Sequence, residues 1–216
     1  MAAPKQAAAA RILLISLGNP RPYTDTLHSA GHRILKHLQT FLPAQPAFSR
    51  TTDFNAGKGC QASIGGRYSL LQSPTQMNVS GGFVKRAFER ELRRMGGRVD
   101  LVHLVVVHDD LELGLGDVRL RKWLSSHRGH NGIKSINRNL KKSDYEGARW
   151  ARISVGIGRP EGRDREEVSS YVLRPMTDEE TRALDLVAVP EVLLALAEFE
   201  TKLEQYAKDP KSQAAE

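Results

Sequence analysis

The sequence predicts a single α/β domain: a mixed, mostly parallel twisted sheet with helices on both faces. Three observations lead there. Short apolar runs alternate with helix-periodic segments along the chain. Residues 101–107, LVHLVVV, are almost continuously apolar, as a strand covered on both faces requires. No internal repeat and no linker-like stretch divides the 216 residues, a length that suits one medium domain with a substantial core.

Taken in order, MAAPKQAAAA (1–10) reads as a short disordered extension. It has neither the apolar stretch of a secretory signal nor the repeated arginines of a transit peptide, although a truncated targeting segment would look similar. The domain is expected over 11–207. RILLISL (11–17) ends at Gly18-Asn19-Pro20 and predicts a buried strand. Residues 26–41 carry Leu27, Ile34, Leu35, Leu38 and Phe41 at helical spacing. Glycines 57, 59, 65 and 66 break 47–72 into short extended pieces. Val79 to Arg94 predicts a helix with Phe83, Ala87, Phe88 and Leu92 on one side and cations on the other.

After LVHLVVV, the alternation of DVRLR (117–121) suggests a strand exposed on one side. Gly132–Leu140 predicts a helix and ARISVGIG (151–158) a further strand. Thr177 and Glu180 have capping-box spacing. Pro190 suits the first turn of a last helix carrying Val192, Leu193, Leu196, Phe199, Leu203 and Tyr206. A polar tail is expected over 208–216.

Composition narrows the function. With 32 Lys and Arg against 25 Asp and Glu, the chain carries +7 and a pI near 9.7. This favours an anionic partner, nucleic acid being the commonest soluble one, although a basic surface also serves solubility alone. A single cysteine, Cys60, rules out an internal disulfide and a Cys-rich zinc site. No apolar run approaches the roughly 20 residues of a membrane span, so no membrane association is expected. The cytosol is the expected compartment, with the mitochondrial matrix as the alternative.

In a parallel sheet, sites form where loops leave the carboxyl ends of strands. Asn19 follows the first strand and Asp109 the strongest one. A carboxylate there can orient a histidine and stabilise its protonated form, or it can simply cap a turn. His28 and His32 stand at i and i+4, a metal-ligand spacing. Ser29 occupies the place of the glutamate in H-E-x-x-H, and no cysteine supports a metal, so a single histidine acting as general base is a better proposal than a metal, although a structural histidine is the commoner case on these residues alone. His108, adjacent to Asp109, points to the opposite strand face and is expected to pack. Asn78, in PTQMNVSGG, and Asn131, in RGHNGIKS, each precede a helix. Either could polarise a substrate carbonyl, or cap that helix. No Walker or G-x-G-x-x-G sequence occurs.

The joint order of GNP…Y…H, PTxMNxSG, HDDLEL, GHNGxKS, GIGRP and YVLRPM resembles the bacterial-type peptidyl-tRNA hydrolase family over about three-quarters of the chain. That resemblance implies a monomeric enzyme, free of metal and organic cofactor, that cleaves the ester between a peptide and the 3′ ribose of tRNA. It places the general base on His28 and its supporting carboxylate on Asp109. Asn19 becomes the residue distinguishing blocked from free aminoacyl groups, Asn78 and Asn131 hold substrate or water, and Tyr23 contacts substrate.

Lys134, Lys141, Lys142, Arg152, Arg159 and Arg163 are then expected to meet tRNA phosphates. The face formed by Arg86, Arg90, Arg93 and Arg94 is as readily a solvated one. Several positions depart from the family pattern: Leu27 and Ser29 flank the histidine in place of arginine and asparagine, Arg21 follows the Gly-Asn-Pro turn in place of glycine, Gln76 replaces an aromatic, and His127-Arg128 replaces a glycine pair. These departures leave open a rival, a non-catalytic RNA-binding relative of the same fold. A metal-dependent hydrolase using His28 and His32 is the third reading.

Overall fold

The computed structural model describes residues 10–208. The expectations for the extension and the tail therefore lie outside the described residues, except at Ala10 and Lys208. Seven strands build one sheet: β1 (Arg11–Ser16), β2 (Ser49–Thr51), β3 (Cys60–Ile64), β4 (Tyr68–Gln72), β5 (Val102–Asp110), β6 (Val118–Lys122) and β7 (Trp150–Gly156). Their order is β2-β3-β4-β1-β5-β7-β6. The central strands β4, β1, β5 and β7 pair in parallel, whereas β2, β3 and β6 add antiparallel pairs at the two edges.

The near-continuous apolar character of β1 and β5 follows from burial on both faces. Ile12, Leu14, Val105 and Val107 point into one core, with Leu27, Ile34, Leu35 and Leu38 from the segment around α1 (Ala30–Phe41). Leu13, Ile15, Leu104 and Val106 point into the other. There they meet Phe83, Phe88 and Ile133 from α2 (Ser80–Arg94) and α3 (Asn131–Asn139). Each fully buried side chain of this size contributes about 1.5–3 kcal/mol.

Two glycines let helices approach closely. A Cβ on Gly31 would lie 2.7 Å from the Leu17 carbonyl and 2.9 Å from that of Val107, so α1 starts directly on the ends of β1 and β5. A Cβ on Gly81 would collide with the Ser135 carbonyl, where α2 crosses α3.

Several boundaries differ from expectation. The strand expected over 101–107 continues to Asp110, placing His108 and Asp109 inside the ladder opposite Ser154 and Val155. The first helix is entered through a 3-10 turn at Leu27–Ser29. A helix not foreseen, α4 (Arg165–Leu173), follows β7; it buries only Val172, so it left no hydrophobic period to read. Its start is held by Asp164, which accepts from the Glu166 and Glu167 amides.

The Thr177–Glu180 capping box opens α5 (Asp178–Ala183) as expected. The last helix, α6 (Val189–Lys208), has Pro190 in its first turn but no free start: α5 runs into it through a π-turn at Leu184–Ala188. Proline provides no N–H and its ring crowds the carbonyl four residues earlier, which here lies in that widened turn. Arg33 of α1 grips Asp185 there with two hydrogen bonds of 2.7 and 2.5 Å.

Candidate active site

The carboxyl ends of β1, β4, β5 and β7 open into one cleft of about 940 Å³, lined by Asn19, Tyr23, His28, Asn78, Asp109, His130 and Asn131 among others. It lies between the ends of β1 and β5, whose outgoing connections run to opposite sides of the sheet, the position at which parallel sheets bind ligands.

Asp109 is the centre of this cleft. Its side chain is 3% exposed, and His28 Nδ1 lies 3.0 and 2.9 Å from its two oxygens. His130 Nε2 approaches Oδ1 at 3.0 Å from the other side. Two backbone amides decide the His130 tautomer. Gly132 and Ile133 donate to Nδ1, so Nε2 carries the proton given to Asp109.

On His28, Nδ1–H faces Asp109 and Nε2 remains for other chemistry. Burial alone would lower the His28 pKa, but the charge and hydrogen bond of Asp109 hold it above its ordinary value. Burial pushes the Asp109 carboxyl up, and the two imidazoles outweigh it, leaving the group well below the usual carboxylate range.

Other expectations resolve in turn. His108 packs as expected: it bonds the Asp109 carbonyl at 2.7 Å and Ser154 Oγ at 3.2 Å, and burial pushes its pKa down to about 3. Both ring nitrogens of His32 are engaged, by Ser16 Oγ at 2.8 Å and the Ser73 carbonyl at 3.1 Å, so the His28–His32 metal pair is not formed. The helix-cap alternatives also fail. The cap of α3 is His130 rather than Asn131, and neither Asn78 nor Asp109 caps a helix. The turn after β5 is held instead by Asp110, which accepts from the Glu112 amide.

His28, Asp109 and His130 do bring three potential metal-ligand atoms within 4.8 Å of one another. The surrounding hydrogen bonds suit protons better than a metal. A metal-bound imidazole normally donates its second N–H outward, whereas the second nitrogen of His130 accepts from two amides.

Among the expected tRNA contacts, Lys134, Arg152, Arg159 and Arg163 line the cleft, and Arg121, Arg128 and Arg165 join them. Arg159 pairs with Glu112, and Arg121 with Asp110 at 3.5 Å. Arg152 is held within the protein rather than presented to solvent. It is 2% exposed, and its Nη2 donates into the Lys122–Ser126 turn, most closely to the Ser125 carbonyl at 2.5 Å. Lys142 lines a separate hollow beside Trp123 and Phe199, and Lys141 is exposed away from the cleft lining.

Sequence reasoning missed His130. Its signal is the His-Asn-Gly step ahead of a helix, where the histidine rather than the asparagine is the cap. The departures Leu27 and Ser29 are both fully buried, so they belong to the protein interior. Gln76 lines the cleft.

An open α/β sheet with a paired imidazole and carboxylate at its strand ends, beside carboxamides and a band of cations, has the groups of a general-base hydrolase acting on an anionic substrate. Comparison makes this specific. The family model described as peptidyl-tRNA hydrolase matches residues 13–214. Peptidyl-tRNA hydrolases of Rhodococcus erythropolis and Kineococcus radiotolerans are 37% and 33% identical over 182 and 185 residues. These alignments cover 81% and 82% of this chain and 84% and 85% of the relatives. The crystal structure of Acinetobacter baumannii peptidyl-tRNA hydrolase shares the fold, with a TM-score of 0.62 at 23% identity over 90% of this chain and 96% of that one. The chain belongs to the peptidyl-tRNA hydrolase family.

Proposed function

We propose that this protein hydrolyses the ester between the peptide, or an N-blocked amino acid, and the 3′ ribose of tRNA, with His28 as general base and no metal. The observation that carries the reading is the bond from His28 Nδ1 to Asp109, which leaves Nε2 as the basic nitrogen at the cleft. A water gives its proton to Nε2 as its oxygen attacks the ester carbonyl. Asp109 stabilises the resulting imidazolium. The oxyanion is met by carboxamide N–H groups, for which Asn19, Asn78 and Asn131 line the cleft. Collapse of the intermediate expels the ribose oxygen, which takes the proton back from His28.

An ester has a good leaving group, so an oriented base and polarising amides suffice without a covalent nucleophile. Tyr23, 43% exposed at the cleft, offers a surface to the substrate. Lys134, Arg159 and Arg163, with Arg121 and Arg128 beside them, meet phosphates of the acceptor end. The enzyme acts as a monomer. Among the described residues no helix is long and apolar enough to cross a membrane.

The test is turnover of N-acetyl-aminoacyl-tRNA by wild type and His28→Ala together. Wild type should release the blocked amino acid, while the variant loses turnover by about a hundredfold or more and keeps its tRNA affinity. Absence of hydrolysis by wild type at stoichiometric enzyme, with tRNA still bound, would establish the non-catalytic alternative instead.

A further inference from the structure

We propose that Ser29 is a positioning residue: its hydroxyl sets Asn19 against the substrate and thereby governs turnover. This rests on the hydrolase reading above. Ser29 follows the base directly and is fully buried. Its Oγ accepts the Asn19 amide N–H at 2.9 Å and donates to the Tyr23 carbonyl at 2.7 Å. One hydroxyl thus joins the Gly-Asn-Pro turn, the tyrosine and the turn that carries His28.

The consequence of losing it falls on one side. The Tyr23 carbonyl keeps a second donor, Thr26 Oγ1 at 2.9 Å, and the Tyr23 amide is bonded to the Pro20 carbonyl at 3.0 Å. Asn19 has no such reserve at its amide. Its side chain is held at the other end, where Oδ1 accepts the Met77 amide at 2.9 Å. That bond also fixes the carboxamide orientation, because an amide donor requires the oxygen to face it. Nδ2 is then the part of the side chain left for substrate. Asn19 is pinned between Ser29 and Met77, and releasing the Ser29 end lets Nδ2 move relative to the ester. Geometric errors of this kind are felt in the chemical step.

The experiment compares wild type, Ser29→Ala, Ser29→Thr, Asn19→Ala and the double variant carrying Ser29→Ala and Asn19→Ala. Each is assayed on N-acetyl-aminoacyl-tRNA. Ser29→Ala is expected to lower kcat about tenfold, the scale of one buried hydrogen bond, with KM nearly unchanged. The acid limb of its pH profile should stay in place, because the His28–Asp109 contact is untouched. Ser29→Thr, which keeps the hydroxyl, should recover most of the rate, and the Ser29 effect should vanish in the Asn19→Ala background.

An unchanged kcat in Ser29→Ala overturns the proposal. So does a loss that Ser29→Thr fails to recover and that parallels a fall in Tm, which would make the position one of packing. A wild type inactive on blocked tRNA overturns the hydrolase reading itself, and this inference with it.

Discussion

Replacing Asp109 with asparagine probes the centre of the site with little change in volume. The carboxylate accepts from two imidazoles at once, His28 at 2.9 Å and His130 at 3.0 Å. An asparagine offers one oxygen and one NH₂ group, so whichever imidazole keeps the oxygen, the other N–H meets a donor. At least one charge-assisted bond is lost, worth about 1.5–3 kcal/mol. His130 is anchored by two amides and cannot switch tautomer without giving them up, so His28 is the ring that turns or re-protonates. The expected fall in kcat/KM is about a hundred- to ten-thousand-fold, the range of a general base.

The pH profile gives a second reading. In wild type Asp109 holds His28 above 6.5, so the acid limb of kcat/KM should lie above that pH. In Asp109→Asn only the lowering effect of burial remains, and the limb should move to lower pH. Rates of N-acetyl-aminoacyl-tRNA hydrolysis from pH 5 to 9 measure both. A variant with near-wild-type rate and an unmoved limb would refute the assignment of Asp109 as the support of the base.

Further outcomes follow from other contacts. Hydrolysis should be unchanged in excess EDTA, because the proposed water activation uses a proton acceptor; a chelator-sensitive rate restored by added zinc would overturn that reading. Acidification below about pH 4 should destabilise wild type more steeply than Asp109→Asn. A carboxylate depressed in the folded state stabilises above its unfolded pKa and loses that contribution as pH falls, and Tm against pH measures the difference. Glu91 is fully buried and bonds Arg11 at 2.5 Å and Ser69 at 3.0 Å, so Glu91→Ala should cost about 3 kcal/mol in urea unfolding. Thr177→Ala removes the capping-box acceptor of the Glu180 amide and should cost about 1 kcal/mol by the same measurement.

The order of strands and helices was legible because burial leaves a period in the residues themselves. β1 and β5 read as buried strands since Ile12 to Ile15 and Leu104 to Val107 alternate between the two cores. The capping box read correctly because its two partners are three residues apart. By contrast, α4 buries one side chain and leaves no such period. The ends of β5 were misjudged because His108 and Asp109 are polar residues buried by their partners rather than by their hydrophobicity.

The candidate site divides in the same way. Residue types and their order, read with the family resemblance, pointed to His28, Asp109, Asn19, Asn78 and Asn131. Sequence alone therefore determined the architecture, the family, and which side chains are available for chemistry, because these depend on local periodicity and on motifs a few residues long. Tertiary structure decided what meets what. It brought His28 and His130 onto Asp109 across 81 and 21 residues, turned Arg152 inward to hold a loop, and made Ser29 the link between Asn19 and Tyr23. Such pairings depend on which strand ends lie side by side, and the order β4-β1-β5-β7 that sets this is a property of the assembled sheet.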